Sequence, residues 1–370
     1  MIYTFHLLGL AHVPTSKEVS ICAYTQKIIN LIKMLTELGH KVILYCTEGT
    51  KVPGIEIVTV GSKETRHKVY GDYDWKKEFF KHDPKDEVHL EFNANAIIEI
   101  NKRKSEHDFL LCPMGNYDQP IAEGVGLMTV EPGIGYTGIF CDKRVFESYA
   151  WMHYIYGLAK VQDGQWYDAV IPNAYDIRDF PYTYAMPSDK NDYYLYIGRL
   201  IQRKGLQIAI EVTQEIGATL LVAGQGSLTD VEGKDLSSYK HVSHVGTVNV
   251  EERFAIMRKA KAVFVPTCYV GPFEGVAVEA QLCGTPVITT DWGVFHETVQ
   301  QGITGWRCRT YREFVQAALG WARIDPNNCR AWALQHYSTE VVKYQYQIYF
   351  DRLHDLWDQG WYQLAPTKVE

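Results

Sequence analysis

A chain of 370 residues exceeds the size at which one hydrophobic core usually stops growing, so two domains are expected. Hydrophobic residues at 46% and charged residues at 22% exclude general disorder, and a formal net charge of −7 leaves no overall basic face for nucleic acid. Eight cysteines without a Cys-x-x-Cys pair fit buried free thiols in a reducing compartment better than a disulfide framework or a zinc site.

The opening residues, Met1 to Leu10, lack a basic n-region, and no later run approaches about 18 apolar residues. A cytoplasmic protein is expected, with membrane contact at most peripheral. Ile2–Leu8 reads as a strand, and Ile28, Leu31, Ile32, Leu35 and Leu38 recur at helical spacing. Gly39 ends that helix, and Lys41–Cys46 returns as a second strand. Further strands are expected at Ile55–Val60, Asp108–Pro113, Leu127–Val130 and Ala169–Ile171, with helices over Val88–Lys102 and Arg144–Leu158. The aromatic run Tyr149–Tyr156 sits at helical spacing and reads as core. Pro172–Lys190 loses periodicity and marks a linker.

A second alternation follows, with strands at Tyr193–Ile197, Thr219–Val222, His241–Val245, Ala262–Pro266 and Pro286–Thr289. Its helices lie over Leu206–Ile216, Val250–Lys259 and Val276–Leu282, and beyond Tyr311 the chain reads as helical and aromatic to Trp361. Alternation of this kind predicts an α/β fold of two doubly wound, Rossmann-like domains. Facing each other across a cleft, they would present the loops after their strands to a ligand. The expected domains are 1–180 and 181–344.

Two segments carry chemistry. After the strand Tyr193–Ile197 come Gly198, Arg199, Lys204 and Gly205, where glycines admit a ligand close to the backbone and two cations can neutralise a diphosphate. Taken alone, the segment reads equally well as a solvated surface turn. The second, PTCYVGPFEGVAVEAQLCGTPVITT over Pro266–Thr290, reads as strand, glycine-bearing loop, short helix, turn and strand. There Gly275, Val276 and Ala277 would present N–H groups to phosphate or sugar oxygens, and Glu279 would accept from vicinal hydroxyls such as those of a ribose.

Together these segments resemble the donor-binding half of the group 1, or family 4, retaining glycosyltransferases of the GT-B fold. Their pattern runs G-R-L-x-x-x-K-G, then E-x7-E, then C-G-T-P-V, and the likeness covers Tyr193 to about Trp306. Weaker likeness extends to Leu31–His40 and Ala169–Phe180. The resemblance implies that Arg199 and Lys204 hold the donor diphosphate, Glu279 the ribose, and the backbone near Val248 the base. It also implies a nucleotide-diphosphate sugar as donor substrate, no further cofactor, no metal, and a glycan, lipid-linked or small-molecule acceptor bound by the first domain. A last helix, about 345–370, would cross back to that domain.

The chain departs from the pattern at three places. The first Glu of the family pair falls at Gly271, and Glu274, three residues later, is the candidate to replace its carboxylate. The paired glycines before the first helix are Cys22-Ala23, which read as packed small residues. Glu131 stands where the family often has a histidine, before an expected loop Pro132–Gly135, and is a candidate for a sugar hydroxyl or a developing positive charge. His12 follows the first strand and reads as a structural or exposed residue. Two rival functions remain open, a sugar-nucleotide-binding protein without transferase activity and a sugar-nucleotide epimerase. A nicotinamide dehydrogenase is disfavoured, because Gly224-Gln225-Gly226 lacks the third glycine.

Overall fold

A computed structural model describes residues 1–19, 22–72, 78, 80–182 and 187–357. The described residues divide into two compact units, the first formed by those within 1–72, 81–174 and 339–357, the second by 78, 80 and those within 175–338.

The first unit holds strands β1 (Thr4–Leu8), β2 (Lys41–Thr47), β3 (Glu56–Gly61), β4 (Phe109–Leu111), β5 (Met128–Ile134), β6 (Lys143–Phe146) and β7 (Asp168–Val170). They pair in parallel in the order β3-β2-β1-β4-β5-β6-β7. Between them run α1 (Ala23–Glu37), α2 (Lys63–Tyr70), α3 (Glu87–Asn101), α4 (Gln119–Val125) and α5 (Tyr149–Ala159). β2 is buried at every position from Val42 to Thr47, as expected of a central strand covered on both faces.

The second unit holds β8 (Tyr193–Ile197), β9 (Thr219–Ala223), β10 (Val242–His244), β11 (Val263–Val265), β12 (Val287–Thr290) and β13 (Gly305–Cys308), again all parallel, in the order β10-β9-β8-β11-β12-β13. Its helices are α6 (Leu206–Glu215), α7 (Val250–Lys259), α8 (Gly275–Leu282), α9 (Phe295–Thr298), α10 (Tyr311–Leu319) and α11 (Pro326–Tyr337). One face of the sheet packs with α7, α8 and α11 around Leu195, Val263, Val278 and Ala333. The other packs with α6 and α10 around Tyr196, Ile210, Phe264 and Ala318. The last described helix, α12 (Thr339–Leu356), belongs to the first unit, where Phe350 lies 4.6 Å from Phe5 and 5.3 Å from Phe109 between ring centroids. The expected continuation to Trp361 and beyond lies outside the described residues.

Three expectations need correction. Arg144–Phe146 is strand β6 rather than the start of a helix, because Ser148 caps α5, its hydroxyl accepting from Trp151 N at 3.0 Å. Pro132–Ile134 is not loop: β5 runs through it, and a register shift against β6 between Glu131 and Ile134 absorbs the proline as an irregularity. The run Tyr149–Tyr156 is only partly core, since Trp151 and Ile155 are buried while Tyr149 is 57% and Tyr154 40% exposed.

Candidate functional site in the second unit

The strand order of the second unit reverses between β8 and β11, which send their following helices to opposite faces of the sheet. A crevice opens at such a switch point beyond the strand C-termini, and ligands of doubly wound sheets bind there. The two loops that lead away from it are 198–205 and 266–274, the two segments singled out above.

Their close approach dictates the glycine at 205. That residue sits at φ +75° as the cap before α6, and a Cβ there would lie 2.9 Å from the carbonyl carbon of Pro266 and nearer still to its oxygen. Cys268 N donates to Arg203 O at 2.8 Å across the same gap. The join fixes Lys204, whose Nζ reaches both carboxylate oxygens of Glu274 at 2.6 and 2.7 Å. The Lys204 side chain is 18% exposed and that of Glu274 5%. Arg199 is exposed beside half-buried Gly198 at the mouth of the first loop, and Val248 is half-buried in the loop between β10 and α7.

Helix α8 begins at Gly275, so the N–H groups of Gly275, Val276 and Ala277 occupy its first turn, where the helix itself supplies no acceptors for Gly275 and Val276. Ala277 N donates to Glu274 O at 3.0 Å. Glu279 lies one turn further in. Arg253 of α7 approaches one of its oxygens at 3.2 Å, while the other is buried without a hydrogen-bond partner among the described residues. Burial pushes the Glu279 carboxyl pKa up, against the opposing pull of Arg253. An orphaned acceptor of this kind is costly unless hydroxyl or N–H donors reach it.

Glu131 belongs to the first unit. It is fully buried within β5 and accepts from Tyr136 Oη at 3.1 Å, Phe140 N at 3.1 Å and Cys141 N at 2.9 Å. Its carboxylate thus braces the 136–141 loop of its own sheet. Burial raises its pKa to about 7, and that of fully buried Asp118 nearby to about 8. His12 is buried, not exposed, with its ring 5.2 Å from His82 and 6.0 Å from His89, and burial followed by those two histidines lowers its pKa to about 3. Cys22 is buried and flanks the start of α1. Among the described residues no group of three or more His, Cys, Asp or Glu is arranged to hold a metal ion, and no helix is long and apolar enough to cross a membrane.

Residues 191–322 match the family described as Glycosyl transferases group 1. The chain thus carries a group 1 glycosyltransferase domain. A glycogen synthase of Mycobacterium tuberculosis is 32% identical over 147 residues, 38% of this chain and 35% of the relative. An uncharacterized glycosyltransferase of Methanocaldococcus jannaschii is 32% identical over 119 residues, 30% of each. The matched region therefore spans about a third of the length of these curated relatives. Among solved structures, a sucrose-phosphate synthase from Thermosynechococcus elongatus superposes with a TM-score of 0.69 at 16% identity, covering 95% of this chain and 99% of that one. Anabaena HepE in complex with UDP and glucose gives 0.67 at 14% identity, covering 94% and 99%. The two Rossmann-like units are those of the GT-B fold.

Within the glycosyltransferase domain the structure brings Lys204, Gly205, Glu274, Gly275 and Glu279 to one end of the sheet. Two participants escaped sequence reasoning. Arg253, the partner of Glu279, is one more charge on a polar helix in sequence, and only the packing of α7 on α8 reveals it. Tyr269 lies under two cations, with Arg203 4.1 Å and Lys204 5.1 Å from its ring centroid. Its place as the fourth residue of the loop after β11 was the available signal.

Proposed function

We propose that the protein transfers a sugar from a nucleotide-diphosphate sugar to an acceptor hydroxyl, with retention of configuration and without a metal ion. The observation that carries this reading is the orphaned carboxylate oxygen of Glu279 behind the first turn of α8, which matches the vicinal hydroxyls of a ribose. Lys204 and Arg199 would neutralise the leaving diphosphate, assisted by the first-turn N–H groups. In this reaction the bond from the anomeric carbon to the diphosphate oxygen breaks. The acceptor oxygen bonds to the same face of that carbon, and its proton passes to a diphosphate oxygen. Val248 would lie along the base.

The glycosyltransferase relatives support the reaction class, and the acceptor would be a glycan, a lipid-linked sugar or a small molecule. A thermal-shift screen with nucleotide sugars, followed by product analysis against acceptors of those three kinds, tests the reading. A ligand at 100 times its dissociation constant adds about 2.7 kcal/mol of stability. Absence of a shift with every nucleoside diphosphate and its sugars would overturn it. Donor binding without product from any acceptor would favour the binding-protein alternative.

A further inference from the structure

The loop between β11 and α8 carries its glycine and its glutamate in the reverse of the order its backbone favours. Glu274 stands at φ +58° and ψ +58°, in the left-handed region that glycine enters freely and a side-chain-bearing residue enters at a cost. Gly271 is outside that region, so its φ does not call for glycine. What bars a side chain at 271 is Glu274 itself. A Cβ on Gly271 would lie 2.9 Å from both Cγ and Cδ of Glu274 and closer still to Oε1. The Glu274 side chain thus folds back along the loop and fills the volume in which a side chain at 271 would begin.

Strain held in a loop between a strand end and a helix start points to a task for the strained residue. The surroundings narrow that task. Both Glu274 oxygens meet Lys204 Nζ, each keeps a further lone pair, and the side chain is 95% withdrawn from solvent. Lys204 is the cation assigned above to the donor diphosphate. A carboxylate in contact with it stands within one phosphate of the sugar that the diphosphate carries. We infer that Glu274 is the carboxylate that binds the hydroxyls of the transferred sugar, reaching from a left-handed backbone position into the space of a side chain at position 271. The inference rests on the donor reading above and adds to it the residue that holds the sugar.

A double-mutant cycle tests it, with turnover, affinity for the bare nucleoside diphosphate and thermal midpoint read on the whole protein. Glu274→Gly is expected to keep nucleoside diphosphate affinity within a few-fold while turnover falls about 100-fold. Gly271→Glu alone should lower the thermal midpoint through the clash. The double variant Gly271→Glu/Glu274→Gly should recover the midpoint and most of the turnover, since both residues then sit where the backbone accepts them. Turnover of Glu274→Gly near that of the original protein, or a double variant no more active than Glu274→Gly, would overturn the inference. So would a Gly271→Glu midpoint cost that persists in the Glu274→Gly background. If the original protein binds no nucleoside diphosphate, the donor reading fails, and the midpoint cycle still reports separately on whether the two residues share one space.

Discussion

Arg253 and Glu279 meet at 3.2 Å between α7 and α8, an arrangement that turns one carboxylate oxygen of Glu279 toward a cation and leaves the other buried and unpartnered among the described residues. If that second oxygen receives ribose hydroxyls, Glu279→Gln should weaken nucleoside diphosphate binding about 10-fold, the cost of exchanging a charged hydrogen bond for a neutral one. Binding of a 2′,3′-dideoxy nucleotide should change little between the two proteins. Calorimetry with both ligands checks this, and an equal loss for both would assign Glu279 a structural role instead.

Lys204→Ala removes the cation held at the junction of the two loops. Turnover is expected to fall about 100- to 1,000-fold with any donor, as when a single charge-stabilising donor is removed from a transition state. Initial rates at saturating donor measure it, and unchanged turnover would remove Lys204 from the reaction.

Gly205→Ala drives a Cβ into the Pro266 carbonyl at a residue with φ +75°. The substitution should destabilise the second unit by about 1–3 kcal/mol and weaken donor binding by displacing Lys204. Chemical denaturation followed by the tryptophans of the second unit reports the first effect.

Glu131 and Asp118 give the first unit a pH dependence of definite sign. Burial raises both pKa values, from 4.5 to about 7 and from 3.8 to about 8, so the folded unit binds more protons than the unfolded chain within that window. Their contribution is fully present below about pH 4 and is lost as pH rises through 7 and 8. Glu131→Gln should remove part of that slope, on the order of 2 kcal/mol between pH 5 and 8. Urea midpoints across that range test the prediction, and parallel profiles for the two proteins would refute it.

The sequence made the two alternations and the second-unit loops readable, because parallel strands buried on both faces leave apolar runs and loops near ligands leave glycines. Val250–Lys259 coincides with α7 at both ends, where a capping box at Asn249 and Glu252 marks the start. β13, Gly305–Cys308, was not recognised, because a four-residue strand containing glycine and arginine has no hydrophobic signature and is defined by pairing with β12. The end of β5 was misread for a related reason. Pro132-Gly133 spells a turn locally, and Gly133 does stand at φ +68°, but pairing of Glu131 and Ile134 with β6 on either side carries the strand through the irregularity. In the donor loop the sequence exposed the exchange of Gly271 and Glu274 but not its consequence, which depends on a backbone angle and a side-chain direction that no spacing encodes.

The ends of the segment 175–338 are stitched together: Tyr175 N donates to Tyr337 O at 2.8 Å, and Tyr175 pairs with Ser338 as an isolated parallel bridge. A chain made from its N-terminus would therefore complete its units out of order. The first sheet is synthesised first yet must wait for Phe350 of α12 to cover Phe5 and Phe109, whereas the later segment can close before α12 leaves the ribosome. Nascent chains stalled with α12 still inside the ribosome should accordingly protect the later segment from protease while the earlier one remains open to it.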